Sequence, residues 1–116
     1  MSSMLDNSAL AQVADYFKVL SEVSRLQVLC SLKHGAKNVS QIMQETGLGQ
    51  ANVSKHLKVL CQMGLISRQP QGVSVYYQIA DPIIFQLCDL VSQSLAHKLK
   101  ERSQQLDRLK LADLNS

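Results

Sequence analysis

The sequence holds only three cysteines, Cys30, Cys61 and Cys88, an odd number with no Cys-x-x-Cys spacing. A disulfide framework needs pairs, so the three read as thiols of a reducing compartment, and a cytoplasmic protein is expected. No apolar run approaches the roughly 20 residues that span a bilayer, and Met1 to Leu10 lacks a basic stretch followed by an apolar one. Neither a membrane partner nor a secretory signal is expected. Charge of one sign is scarce too: 12 Lys and Arg stand against 9 Asp and Glu, a net of +3. That balance permits nucleic-acid binding but argues for it only where the cations cluster. The catalytic signatures are missing as well. There is no glycine-rich phosphate loop after a strand, no G-x-S-x-G and no H-E-x-x-H. His34, His56 and His97 share no metal-ligand spacing. The expectation is a protein without catalytic residues, cofactor or bound metal.

What is present is one domain's worth of chain, 116 residues and 46% apolar, enough to bury roughly two-thirds of its unfolded surface. From Leu5 to Leu20, Leu10, Val13, Phe17 and Leu20 recur at helical spacing. After Ser21, a second run places Val23, Leu26, Leu29 and Cys30 on one face, closed by Lys33, His34 and Gly35. Asn38 to Gln41 reads as a capping box opening a short helix, with Val39, Ile42 and Met43 inward and Gly47 as its stop. Leu48 and Gly49 connect it to a fourth helix from about Gln50 to Met63, with Val53, Leu57 and Leu60 on its apolar face. Then the period changes. Leu65 to Gln69 and Val73 to Ile79 are β-prone runs around a Pro70-Gln71-Gly72 turn, with Val73, Val75, Tyr77 and Ile79 alternating against Ser74, Tyr76 and Gln78. Past Asp81-Pro82 one helical pattern runs towards Leu111, thinning beyond Lys100.

The fold expected is mainly α with a small β-hairpin, ordered α-α-α-α-β-β-α: a dimeric winged helix-turn-helix. Residues 1–116 form a single domain, with the helix-turn-helix at about 38–64, the wing at about 65–79 and a dimerisation helix at about 81–111. In such a motif the second helix enters the major groove and its N-terminal residues reach base edges. Asn52, Lys55 and Lys58 point away from the apolar face of helix four, with Gln50, Ser54 and His56 on its flanks, and Arg68 is the charge of the wing. Lysines neutralise phosphates, and an amide can pair two atoms of an adenine edge. His56 reads as a phosphate or base contact. The partners expected are double-stranded operator DNA and a second copy of the chain.

Three blocks make this reading specific. Phe17 to Leu29, FKVLSEVSRLQVL, resembles the opening signature of the ArsR-type bacterial repressors. Leu48 to Leu60, LGQANVSKHLKVL, is similar to their recognition helix, and Gly64 to Ile79 resembles their wing. The resemblance covers residues 10 to about 97. It implies a homodimer that represses transcription until an inducer, often a metal ion, weakens its hold on an operator. Two departures stand out: Glu22-Val23 where an Asp-Pro pair is usual, and Val73 after the wing glycine where arginine is common. A weaker wing contact than the family norm is expected.

The family's two familiar metal sites are absent. Val39 to Gln44 holds no cysteine or histidine where the Cys-x-Cys pair would lie. The four positions of the last-helix site carry Asp81, Ile83, Ser94 and His97, two of which are no ligands. Thiol-based family members pair a cysteine at the end of helix two with one on the last helix. Cys30 matches the first position, while Cys88 stands roughly two turns earlier than the second. The resemblance thus makes Cys30 and Cys88 redox or persulfide candidates. Against this, both fall on apolar faces, where a cysteine packs as a small hydrophobe, as Cys61 does on helix four. Along the last helix Ile84, Leu87, Cys88, Val91, Leu95, Leu99, Leu106 and Leu109 form a stripe longer than one small core needs. It fits packing against helix one and a partner's copy. A winged helix used for protein binding remains a second class of function, and exposed apolar residues on helix four would favour it.

Overall fold

The computed structural model describes residues 6–115, so the expected helix start at Leu5 lies outside them. The elements follow the expected order: α1 (Asn7–Val19), α2 (Val23–Ser31), α3 (Val39–Thr46), α4 (Gln50–Gln62), β1 (Ile66–Gln71), β2 (Ser74–Ile79) and α5 (Ile83–Asn115). They fall into two compact units, the first ending at Asp81 and the second beginning at Pro82.

In the first unit, α2, α3 and α4 pack on one another, and α4 packs on β1. Val28, Leu29 and Leu32, Ile42, Val53, Leu57 and Leu60, and Leu65 and Ile66 are its buried apolar side chains. The short α3 is fixed at both ends. Asn38 accepts from the Gln41 amide at 2.9 Å while Gln41 Oε1 accepts from the Asn38 amide at 2.9 Å. Gly47 then closes the helix at φ +76°, a left-handed conformation that a side chain disfavours.

The buried face of α2 differs from the expected one. Val23 is 74% exposed and Cys30 is exposed, whereas Arg25, Val28, Leu29 and Leu32 are buried. Positions 25, 28, 29 and 32 form an unbroken helical stripe, but one that contains an arginine. The expectation that Cys30 packs into the core is therefore corrected: in this chain it faces outward.

The hairpin turn is tighter and later than expected. Gln71 pairs with Ser74, leaving Gly72 and Val73 as a two-residue turn with Gly72 at φ +62°. Pro70 joins β1, an edge strand, where a missing N–H is tolerated. On its other side β2 bonds Lys37, whose amide donates to the Tyr77 carbonyl at 3.0 Å and whose carbonyl accepts from the Tyr77 amide at 2.8 Å. The Lys37 ammonium donates in turn to the Ser31 carbonyl and pairs with Glu45 at 3.3 Å. Burial along β2 alternates little, and Val73 at the tip is wholly exposed. A two-stranded ribbon has no second layer to cover either face fully.

The second unit is α5, a helix of 33 residues. It begins after Pro82, a favourable helix start, and continues to Asn115, past the expected end near Leu111. Val91, Leu95, Leu99, Leu106 and Leu109 are exposed, as are Leu10, Val13 and Phe17 on α1, which buries no residue. No helix among the described residues is long and apolar enough to cross a membrane.

Replacing Asn38 by Ala removes one half of the capping box and should destabilise the protein by about 1 kcal/mol, read as a lower denaturant midpoint with unchanged slope.

Candidate nucleic-acid interface

On α4 the side chains at 53, 56, 57 and 60 are buried, so at 100° per residue the opposite face carries Ala51, Lys55, Lys58 and Gln62, each one turn from the next. All four are exposed. Two cations and one small residue along an open helix face suit close approach to a polyanion. Gln50, Asn52 and Ser54 are also exposed, to either side of that stripe. No side chain caps the start of α4 at Gly49, so its first amides point outward as donors for an anion.

Beside this face, α4 and the wing enclose a cavity of about 310 Å³ lined by Ser54, Leu57, Lys58, Cys61, Gln62, Arg68 and Tyr77. Arg68 sits on β1 opposite Tyr77 of β2, and Lys58 reaches the same cavity from the helix. The two cations thus converge from separate elements. Burial pushes the Cys61 thiol up from its ordinary pKa, with nearby Arg68 working the other way.

Of the seven expected DNA-facing residues, the structure gathers Ser54, Lys58 and Arg68 at one cavity and leaves Gln50, Asn52 and Lys55 on the open surface of α4. The seventh expectation is corrected. His56 is 2% exposed and both of its ring nitrogens are engaged within the protein. Nε2 lies 2.8 Å from Ser24 Oγ, and Nδ1 lies 3.3 Å from Arg25 Nε. Burial first, and then the charge of Arg25, hold its pKa below the ordinary 6.5. A ring so enclosed and so bonded has nothing left to offer a phosphate or a base. Sequence reasoning also missed Cys61, Gln62 and Tyr77 as neighbours of the cationic cavity. The spacing 54, 58, 61 and 62 could have revealed the first two, since it continues the Ser54–Lys58 edge of the helix for another turn.

The redox candidates Cys30 and Cys88 lie one in each unit, Cys30 exposed and Cys88 half-buried. Among the described residues no three His, Cys, Asp or Glu side chains come together as a metal site. His97 pairs with Glu101 one turn along α5, at 2.7 Å.

Comparison with known proteins places these features in context. Residues 22–68 match the family model described as bacterial regulatory protein, arsR family. The chain is 36% identical over 88 residues to the HTH-type transcriptional regulator NmtR of Mycobacterium tuberculosis, covering 76% of this chain and 73% of that one. It is 36% identical over 81 residues to the transcriptional repressor PagR of Bacillus anthracis, covering 67% and 79%. Among solved structures, a homodimeric winged helix-turn-helix DNA-binding domain from Mycobacterium bovis superposes with a TM-score of 0.70 at 32% identity, covering 87% of this chain and 95% of that one.

On a duplex, Lys58→Ala and Arg68→Ala should each flatten the dependence of log affinity on log salt by about one unit per bound protomer, and the double variant by about two per protomer. Titrations at stepped ionic strength would read this directly.

Proposed function

Because the chain belongs to the arsR family of bacterial regulatory proteins, we propose that it acts in the cytoplasm as a repressor that an inducer releases from its operator. It is a DNA-binding transcriptional regulator that homodimerises, not an enzyme. The observation that carries the site assignment is the convergence of Lys58 from α4 and Arg68 from the wing on one cavity beside the exposed Lys55 face. A recognition helix in a major groove, with a wing beside it, needs cations on both elements facing one backbone. In this reading Gln50, Asn52 and Ser54 reach base edges or sugar-phosphate from the N-terminal half of α4, while Lys55, Lys58 and Arg68 neutralise phosphates. Repression is the direction named for PagR.

The exposed apolar side chains of α1 and of α5 supply the surface for the second copy. An isologous dimer presents two recognition helices about one DNA turn apart, which predicts an operator of two inverted half-sites. A protein-interaction role for the same fold is disfavoured by α4 itself, whose open face carries lysines and amides instead of large apolar side chains.

The test is titration of the DNA upstream of the protein's own gene at several salt concentrations. Tight binding that weakens steeply with salt is expected; little duplex affinity at any salt would instead point to a protein adaptor. Within that experiment Lys55→Ala should weaken binding to all sequences and flatten the salt slope by about one unit per bound protomer, whereas Asn52→Ala should relax base preference.

A second reading is favoured by the exposure of Cys30, which an oxidant or persulfide could reach. In it Cys30 and Cys88 form the inducer-sensing pair. Treatment with a polysulfide should then release the operator reversibly, and Cys30→Ser should abolish the response. A fully responsive Cys30→Ser protein would end that reading.

A further inference from the structure

Arg25, one of the three buried polar residues of the chain's described part and only 8% exposed, spends its guanidinium on three different partners. Its Nη2 pairs with Glu22 at 2.6 Å, its Nη1 donates to the Val19 carbonyl at the end of α1 at 3.0 Å, and its Nε donates to His56 Nδ1 at 3.3 Å. An arginine is always protonated and has no acceptor. Nδ1 must therefore accept with its lone pair, which puts the ring proton on Nε2, and Nε2–H then donates to Ser24 Oγ at 2.8 Å. Only the neutral imidazole satisfies both bonds.

A second proton could enter only at Nδ1. It would set N–H against N–H and cation against cation inside a site with little water to screen them. The charged groups that act on the ring are Arg25 and Glu22 from α2 and Lys55 from α4 itself; α1 meets Arg25 with a carbonyl alone. Glu22 favours the added proton, but its carboxylate is already bonded to Arg25. The ring belongs to the same turn of α4 as Lys55 and Lys58, so whatever displaces it displaces the face that meets DNA.

We propose that Arg25 and His56 are positioning residues that hold the recognition helix in register for the operator, and that protonating His56 releases it. The proposal rests on the DNA-binding reading above, and it deepens it by naming a condition under which the site lets go. Its sign is opposite to that of a histidine beside a phosphate, which binds more tightly when charged. It also makes Arg25 the joint through which the end of α1 is tied to α4.

The experiment measures operator affinity of the intact dimer at constant ionic strength from about pH 8 to about pH 5.5, with helical circular dichroism at every point. Burial lowers the proton affinity of folded His56, so the unfolded chain binds the proton first and stability is also lost as pH falls below 6.5. The dichroism separates that loss from release. Affinity should fall with acid, approaching about tenfold per pH unit for each His56 of the dimer once the ring titrates, while the helical signal holds. His56→Asn, which offers Arg25 an acceptor oxygen but does not titrate, should bind with a flat profile, and His34→Gln and His97→Gln should keep the fall. In the unaltered protein, imidazole nitrogen shifts should report the Nε2–H form at about pH 7.5 and titrate together with the affinity. Affinity that is constant or rises with acid, a fall that only follows lost helicity, or an Asn variant that keeps the fall would overturn the proposal. Absence of duplex binding at about pH 8 would instead defeat the DNA-binding reading itself.

Discussion

An eight-residue helix does not persist alone in water, yet the placement of α4 depends on α3 being formed beneath it. The reciprocal bonds of Asn38 and Gln41 at one end, the left-handed Gly47 at the other and the wholly buried Ile42 between them make that short helix a fixed support. From there the rest follows in order. Ile42 packs in the layer of Val28, Leu29 and Leu32; α4 lays Val53, Leu57 and Leu60 into the same core; and the chain leaving α4 places Leu65 and Ile66 against it. The cationic face of α4 is set outward as a consequence of what its other face buries.

Much of this was legible in the sequence, because the signals were local. The capping box, the two glycines at 47 and 49 and the change of period near residue 65 each dictate geometry within a few residues of themselves. The failures share a cause. His56 reads as outward because polar side chains on helices usually are, Cys30 as inward because it follows Leu26 and Leu29 on one apolar face, and nothing local marks Arg25 for burial. Their true places depend on each other: Arg25 can be buried because His56, Glu22 and the Val19 carbonyl give each of its three nitrogens a partner, and those partners lie as many as 31 positions away. No window of helical length contains such a pair. The cavity shared by Lys58 and Arg68 was half legible for the same reason, since each residue was readable and their meeting was not.

Stability and assembly are joined in this chain. α1 buries none of its residues, and the long α5 exposes leucines and valines along most of its length. Apolar surface on this scale is stabilised by a second copy, at roughly 25 cal/mol for each Å² removed from water. Folding and dimerisation are then linked, and the population of the dimer is set by protein concentration.

The backbone bridge between Lys37 and Tyr77 has a consequence for the DNA. Lys37 stitches β2 to the link between α2 and α3, and its ammonium reaches both the Ser31 carbonyl and Glu45. The wing is thereby fastened at its base to the same framework that carries α4, so in the proposed complex each half-site meets one stiff reading head. A stiff head cannot adjust to a groove of the wrong width, so the duplex must supply the give. On the proposed reading, operators for such a protein are expected to be selected in part for how cheaply they bend and narrow, at base pairs no side chain touches.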